Sequence, residues 1–378
     1  MNREEAYRKL KRLGQEHLAI TSCQMIAEIE AIDEALLQQQ QAHLVAPLPN
    51  DPMRPLEKVD PLLETKHKKL GDQAMAEGAV AAVVAAGGQG TRLGFDGPKG
   101  AYSLLGKSLY QRLAEKTLAA GDKLYLAIMT SPATDEMTRA HFQENKNFGL
   151  SEEQLIFFQQ STLPLLDDRG KLFLSAEGKI ATGPNGNGYA LHEIVKQGIA
   201  DLWRKKGVRC VTFVPVDNAL SQPFDPQWIG YHLQSHADVT TLAAFRTDPD
   251  EKVGVFGMRD EKVVVAEYSE LTPTQKTERL DNGSLCFSCA NLSLFCFSMD
   301  FIDRVASQEL SLHFAHKPAS HLVKGTIQAW KSEYFIFDVL SYSHKTHVLV
   351  APRERCFAPL KNATGPDSPE TVIAQLQR

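Results

Sequence analysis

Residues 86–100, AGGQGTRLGFDGPKG, follow directly on the apolar run AVAAVVAA and combine glycines at 87, 88, 90 and 94 with two cations, Arg92 and Lys99. A loop leaving the carboxyl end of a parallel strand points into the crevice where open α/β sheets bind ligands. Glycine there lets the backbone approach a ligand closely and exposes N–H groups that can cradle phosphate oxygens. Two fixed cations a few residues away suit charge that builds up on a phosphorus centre and its leaving group. The plainer alternatives are a glycine-rich chain reversal and two solvated surface charges.

Two common nucleotide motifs are excluded. No G-x-x-x-x-G-K-[ST] run occurs, because Lys99 stands between Pro98 and Gly100. Gly88, Gly90 and Gly94 give G-x-G-x-x-x-G rather than the dinucleotide spacing, and the next apolar run, KLYLAIMT, ends without the acidic residue that would bind a ribose diol. Neither a P-loop ATPase nor a dinucleotide-dependent dehydrogenase fits.

The elements that must hold this loop are legible in outline. In residues 3–19, Ala6, Leu10, Leu13 and Leu18 recur at roughly helical spacing. In 23–40, Met25, Ile26, Ile29, Ile32, Leu36 and Leu37 do so more clearly, with Thr21 or Ser22 as a cap. A surface connector follows, APLPNDPMRPLEKVDP, with prolines at 47, 49, 52, 55 and 61. From about residue 79 short apolar runs alternate with helical stretches such as 108–119 and 189–206, then give way to a β-rich region containing VTTLAAF, KVGVFGM, KVVVAEY and LCFSCANLSLFCF. Unalternated runs of this length suit strands covered on both faces, so the expected class is α/β with a mixed, mostly parallel, Rossmann-like sheet. The expected division is a small N-terminal helical lobe and linker over 1–70, a catalytic domain over 71–350 and a short C-terminal segment over 351–378.

Composition narrows the function classes. The 378 residues are 43% hydrophobic, enough for a sizeable core, and the formal net charge of −5 makes no overall case for nucleic acid or an anionic membrane. No run approaches a membrane span and MNREEAYRKL lacks the apolar stretch of a signal peptide, so a cytoplasmic protein is expected. Six scattered cysteines are not a disulfide framework. Cys286-x-x-Cys289 has zinc spacing, but it lies in an apolar run whose alternating side chains do not gather four ligands.

Beyond the loop, the chain resembles the eukaryotic-type UDP-sugar pyrophosphorylases. AGGQGTRLG at 86–94 and PKG at 98–100 stand as in that family, and further segments follow in the same order: GQEHL at 14–18, IFFQQSTLP at 156–164, GPNGNG at 183–188, PVDNAL at 215–220, VAEYSEL at 265–271, ANLSLFCFS at 290–298, FIFDV at 335–339 and APLKNA at 358–363. The resemblance implies a GT-A-like nucleotidyltransferase fold and attack by a sugar 1-phosphate on the α-phosphorus of UTP, with Mg2+ assisting and pyrophosphate leaving. The implied protein is a monomer or weak homo-oligomer. Longer relatives continue into a separate C-terminal domain, expected here to be absent or vestigial.

The same resemblance implies site residues. Ala86, Gly87, Gly88 and Gln89 contact the nucleotide; Arg92, Lys99 and Lys361 contact phosphates, with Lys99 at the pentacoordinate phosphorus. Gln160 reads the uracil edge, which an amide that both donates and accepts can do, and Gly186 lies against base or ribose. Asp217, just past an apolar strand, is the expected magnesium ligand, supported by Asn218. Asn187, Glu267, Tyr268, Asn291 and Phe337 are expected to hold the sugar. Asn187 in GNG is the form of the enzymes acting on N-acetylhexosamine phosphates, so the expected products from UTP and N-acetylglucosamine 1-phosphate are UDP-N-acetylglucosamine and pyrophosphate. Tyr189, where the family usually has a second glycine, and Leu294 and Phe295, where it usually has asparagine and histidine, keep a UDP-glucose, UDP-galactose or broad-specificity enzyme open. A UDP-sugar-binding regulator without catalysis is the alternative of a different class.

Overall fold

A computed structural model describes residues 1–45, 53–62 and 67–378. Prolines 47, 49 and 52 of the expected connector lie outside the described residues, whereas Pro55 and Pro61 lie within them. The chain divides into two units, each assembled from separated segments: Met1–Asn50 with Ser161–Asn187 and Leu310–Phe335, and Asp51–Gln160 with Gly188–Glu309 and Ile336–Arg378. This differs from the expected split at residues 70 and 350. The N-terminal helices do not form a lobe of their own, because their apolar face is buried against Leu166, Leu172 and Ile180 from a much later segment.

In the first unit, α1 (Arg3–Arg12), α2 (Cys23–Ala31) and α3 (Glu34–Val45) each start at a physical cap. Asn2 accepts the Glu5 N–H while the Glu5 carboxylate takes the Asn2 N–H, Ser22 accepts from Met25, and Asp33 accepts from Leu36. The expected helix over 3–19 stops at Arg12 because Gly14 takes a left-handed φ of 67°. Leu13 and Leu18 stay buried without being helical. The expected helix over 23–40 breaks at Ile32, where the buried Lys9 ammonium takes the carbonyls of Glu30 and Ile32 that the break exposes. A long antiparallel hairpin, His313–His321 with Gly325–Glu333, also belongs to this unit. Its polar, histidine-rich sequence carries little of the apolar signal by which strands are recognised.

The second unit is built on a sheet of ten strands among the described residues. Nine are labelled β1 (Val80–Ala85), β2 (Tyr125–Thr130), β3 (Leu155–Gln159), β4 (Cys210–Pro215), β5 (Val239–Phe245), β6 (Val255–Arg259), β7 (Lys262–Ala266), β8 (Cys289–Ser298) and β9 (Thr346–Val350); the tenth is the short Asp60–Pro61. The spatial order is Asp60–Pro61, β9, β5, β8, β4, β1, β2, β3, with β6 joining β8 and β7 joining β6. β4, β1, β2 and β3 are mutually parallel, as are β5 and β9, and β8 runs against both groups, so the sheet is mixed and mostly parallel. The central strands β1 and β4 are buried on both faces, which is why they read as unbroken apolar runs, whereas β7, away from the centre, is half-buried along most of its length.

Helices α4 (Lys68–Ala76), α5 (Leu109–Ala120), α6 (Asp135–Glu144), α7 (Ala190–Lys196), α8 (Ile199–Lys205) and α9 (Pro226–Ser235) belong to this unit. The expected helix over 189–206 is two, because Gly198 adopts φ 73° between α7 and α8. The 351–378 segment is integral to the unit, with Phe357, Leu360 and Val372 in the main core. Among the described residues no helix is long and apolar enough to cross a membrane.

α4 and α9 meet backbone to backbone. A Cβ at Gly71 would stand 1.8 Å from the Pro226 carbonyl oxygen, and one at Gly230 2.0 Å from that of His67. Gly71→Leu is therefore expected to lower the urea-unfolding free energy by about 1–3 kcal/mol, the usual cost of overpacking; an unchanged midpoint would show that the crossing has slack.

Candidate active site

Strand register gathers the chemistry-bearing residues of the second unit at one sheet end. Ala85 pairs with Pro215 and Met129, and Thr130 with Gln159, so the chain leaves β1, β2, β3 and β4 side by side at Ala86, Ser131, Gln160 and Val216. β8 runs the other way, with Phe295 opposite Phe213, so its early residue Asn291 comes to the same end. Val255 pairs with Ala290 and Ala266 with Val255, which brings Glu267 there, and the Ala351 N–H donates to the Ala243 carbonyl, which brings the C-terminal segment there.

The glycine loop is closed upon itself. The Gly90 N–H donates to the Gly97 carbonyl at 2.9 Å and the Lys99 N–H to the Gly88 carbonyl at 3.0 Å, while Gly94 turns the chain at φ 67°. A Cβ at Gly87 would lie 2.0 Å from Gln160 Nε2, whereas one at Gly88 would meet nothing within 4 Å. Gly87 therefore permits the approach of Gln160, and Gly88 presents bare backbone. The Ser131 hydroxyl donates to the Gly87 carbonyl at 2.8 Å. Gly100 lies on the Tyr110 ring, 2.2 Å from where a Cβ would be, which fixes the backbone beside Lys99. Ala86 and Gln160 are buried; Gln89 and Arg92 are exposed.

Lys99 reaches across to the chain leaving β4: its Nζ lies 3.2 Å from Asp217 Oδ2, with the two side chains only 12% and 22% exposed. The next residue does the joining. Asn218, 2% exposed, donates from Nδ2 to the Cys356 carbonyl at 2.7 Å and accepts on Oδ1 from Ala358 N–H at 2.9 Å and from Leu220 N–H at 3.3 Å. Two backbone bonds complete the seam, Ala219 N–H to the Ala358 carbonyl and Leu360 N–H to the Asp217 carbonyl. Lys361 is thereby brought next to Asp217 across more than a hundred residues of sequence. Its Nζ is 3.8 Å from Asp367 Oδ2, and burial holds the Asp367 carboxyl above its ordinary range against the opposing pull of Lys361.

On the β8 side, a bulge between Leu242 and Ala243 of β5 leaves Leu292 and Ser293 without cross-strand partners there, and Asn291 Oδ1 accepts the Ser293 N–H at 2.9 Å. The Asn291 N–H donates to Gly254, whose Cβ would stand 3.1 Å from Glu267 Oε1, so Asn291 and Glu267 share one small neighbourhood. Glu267 donates its N–H to Glu270 Oε2, and Tyr268 is exposed beside it. Phe337 is buried in the short helical stretch Ile336–Tyr342, which packs beside β7. Leu294 and Phe295 are fully buried in β8. Tyr189 opens α7 with its ring centroid 4.3 Å from that of His192.

Gly186 and Asn187 belong to the first unit. Gly186 has φ 85°, and a Cβ there would lie 2.3 Å from the Tyr334 carbonyl oxygen, so its own backbone neighbour already requires glycine. Asn187 is half-buried.

Sequence reasoning missed Ser131, Lys116 and Asp367. Ser131 follows the β2 run directly, a position the topology makes informative. Lys116 sits one turn past Leu113 on α5 and donates to the carbonyls of Ala219 and Ser221 at 3.0 and 2.7 Å, holding the loop beyond Asp217. Among the described residues no group of three or more His, Cys, Asp or Glu side chains could hold a metal by itself. One carboxylate, Asp217, faces the loop, and that donor set suits a cation such as Mg2+ that takes one or two carboxylates and fills its shell with phosphate oxygens and water.

A family profile described as UTP–glucose-1-phosphate uridylyltransferase matches residues 30–365. The chain belongs to that family. The matched span contains the glycine loop, Asp217, Asn218 and Lys361, and ends just before Asp367. The chain is 35% identical over 334 residues to a UDP-N-acetylglucosamine pyrophosphorylase of Saccharomyces cerevisiae, covering 82% of this chain and 70% of the relative. It is 33% identical over 354 residues to UDP-N-acetylglucosamine diphosphorylase 2 of Arabidopsis thaliana, covering 87% and 70%. The crystal structure of the Trypanosoma brucei uridine diphosphate N-acetylglucosamine pyrophosphorylase with an inhibitor superposes with a TM-score of 0.84 at 26% identity, covering all of this chain and 84% of that one.

Two expectations follow. Asn218→Ala leaves the buried Ala358 N–H and Cys356 carbonyl unpaired, so stability should fall by about 1–3 kcal/mol, with faster amide exchange confined to residues near 218–220 and 356–361. Burial pushes the Lys116 amine down to about 8. The folded form then releases its proton near pH 8 while the unfolded chain keeps it into the ordinary lysine range, so stability should rise with pH across that window. Lys116→Met should flatten that slope in pH-dependent denaturant melts.

Proposed function

We propose that this protein transfers the uridylyl group of UTP to N-acetylglucosamine 1-phosphate, giving UDP-N-acetylglucosamine and pyrophosphate. The observation that carries the reading is the convergence of Lys99, Asp217 and the Lys361 segment beside a glycine loop that touches Gln160. Its relatives' names point to the same reaction.

An oxygen of the sugar phosphate attacks the α-phosphorus of UTP, the bond from that phosphorus to the bridging oxygen of the β-phosphate breaks, and pyrophosphate leaves with the electron pair. Such an exchange of one phosphoanhydride for another needs reactants held in line and crowded negative charge offset. The exposed backbone of Gly88, with Ala86, Gly87 and Gln89, receives the nucleotide. Gln160, held against Gly87, pairs with the uracil edge. Lys99 neutralises the phosphorus under attack; Arg92 and Lys361 bear on the remaining phosphates. Asp217 is the residue that would hold Mg2+, which when bound would offset phosphate charge and fix the leaving group's orientation. Glu267 accepts hydrogen bonds from sugar hydroxyls, with Tyr268 beside it. Asn291 and Phe337 receive the rest of the hexose and its N-acetyl group.

The test is pyrophosphate release from UTP, N-acetylglucosamine 1-phosphate and Mg2+, with pyrophosphorolysis of UDP-N-acetylglucosamine, UDP-N-acetylgalactosamine and UDP-glucose run side by side. UDP-N-acetylglucosamine should turn over with the highest kcat/KM, and Lys99→Ala should cut kcat by about 100-fold or more. Gly87→Ala, whose methyl displaces the Gln160 amide, should raise KM for UTP more than it lowers kcat. Binding of UDP-N-acetylglucosamine without any pyrophosphate release would instead identify a sensor, and preferred turnover of UDP-glucose would reassign the sugar.

A further inference from the structure

Lys99 and Asp217 have opposite duties in the proposed reaction, one toward phosphate and the other toward a divalent cation, yet in this structure each neutralises the other. Lys99 Nζ lies 3.2 Å from Asp217 Oδ2, and among the described residues neither side chain makes another ion pair or side-chain hydrogen bond. The pair is largely shielded from water, so its field is stronger than that of a surface ion pair. The neighbouring cation shows the same arrangement: Lys361 Nζ is 3.8 Å from Asp367 Oδ2, and the Leu360 N–H is bonded to the Asp217 carbonyl.

A divalent cation bound by Asp217 would have to approach an oxygen that the Lys99 ammonium already faces, at about 2.0–2.1 Å for Mg2+. The two positive charges would then stand within a few ångströms of each other in a poorly hydrated place, where their repulsion opposes metal entry. A polyphosphate changes that balance, because it offers the ammonium several anionic oxygens and supplies the remaining ligands of the metal. We propose that the Lys99 ammonium is the resident counter-ion of Asp217 and keeps divalent cations off this carboxylate until nucleotide phosphates draw the lysine away. Metal then enters with the nucleotide, and Lys99 is both a phosphate ligand and the gate of the metal position. The inference rests on the uridylyltransferase reading for the roles of the two residues, but the pairing itself is read from the geometry alone.

The probe is Mn2+, titrated into the 378-residue chain without nucleotide and read as loss of the free-ion EPR signal. Four proteins are compared: wild type, Lys99→Met, Asp217→Asn and the double variant. Lys99→Met should acquire a site that binds Mn2+ about tenfold or more tightly than wild type does, and the double variant should lack it; adding UTP to wild type should bring its Mn2+ affinity to at least that of Lys99→Met. Equal Mn2+ affinity in wild type and Lys99→Met, or a gained site that survives in the double variant, overturns the proposal. Lys99→Gln, neutral and closer in shape, is read by the same criteria if Lys99→Met fails to fold by circular dichroism. Turnover of wild type is assayed separately. A wild type that releases pyrophosphate while neither Lys99 variant gains a site refutes the gate alone. One that releases none while the variants do gain it refutes the uridylyltransferase reading alone.

Discussion

Parallel strands that share a sheet must discharge their chains at one edge, and the chemistry of this protein is built on that edge. β1, β2, β3 and β4 end side by side, so the glycine loop, Ser131, Gln160 and the segment carrying Asp217 become neighbours without any of them being close in sequence. The antiparallel β8 does not break this rule: running in reverse, it contributes its beginning, Asn291, to the edge where the others contribute their ends. A loop free of strand hydrogen bonds at such an edge has backbone donors to spare for a ligand, which a loop in the core could not have.

The edge is then sealed by a second device. Asn218 offers one donor and one acceptor to a stretch of chain that belongs to no regular strand, and the Cys356 carbonyl and Ala358 N–H have it as their partner. Burying an irregular segment is costly unless its polar groups are matched. Here the matching residue is adjacent to the carboxylate that faces Lys99, so the same turn that presents Asp217 also draws Lys361 to the site. Opposite charges at the loop are thus paired with each other, which makes a strongly charged, partly buried place tolerable.

Much of this was legible in advance, for identifiable reasons. The unalternated runs at 80–85, 125–130 and 210–215 announced doubly covered strands because both faces of the sheet are buried there. The loop at 86–100 was legible because it follows an apolar run directly and joins glycines, which let backbone approach a ligand, to two basic residues. The helical spacing at 3–19 misled about the helix while identifying buried residues correctly, since Leu13 and Leu18 serve the same core from a non-helical chain. The hairpin at 313–333 was invisible because its side chains are largely polar and half-exposed, and the two-unit division was invisible because each unit is stitched from three separated segments.

By itself, the sequence determined the class of the sheet, the glycine-rich turn that follows its first long apolar run and, through motifs spread from residue 14 to residue 363, the family. These follow from residue type and spacing, which local backbone physics converts directly into strands, turns and exposed donors. Only the tertiary structure decided that Lys99 faces Asp217, that Asn218 binds the C-terminal segment, and that glycine at 186 is demanded by the Tyr334 backbone. Each of those is a contact between residues more than a hundred positions apart. Such contacts are selected by the packing of whole elements against one another, and no window of sequence contains both partners.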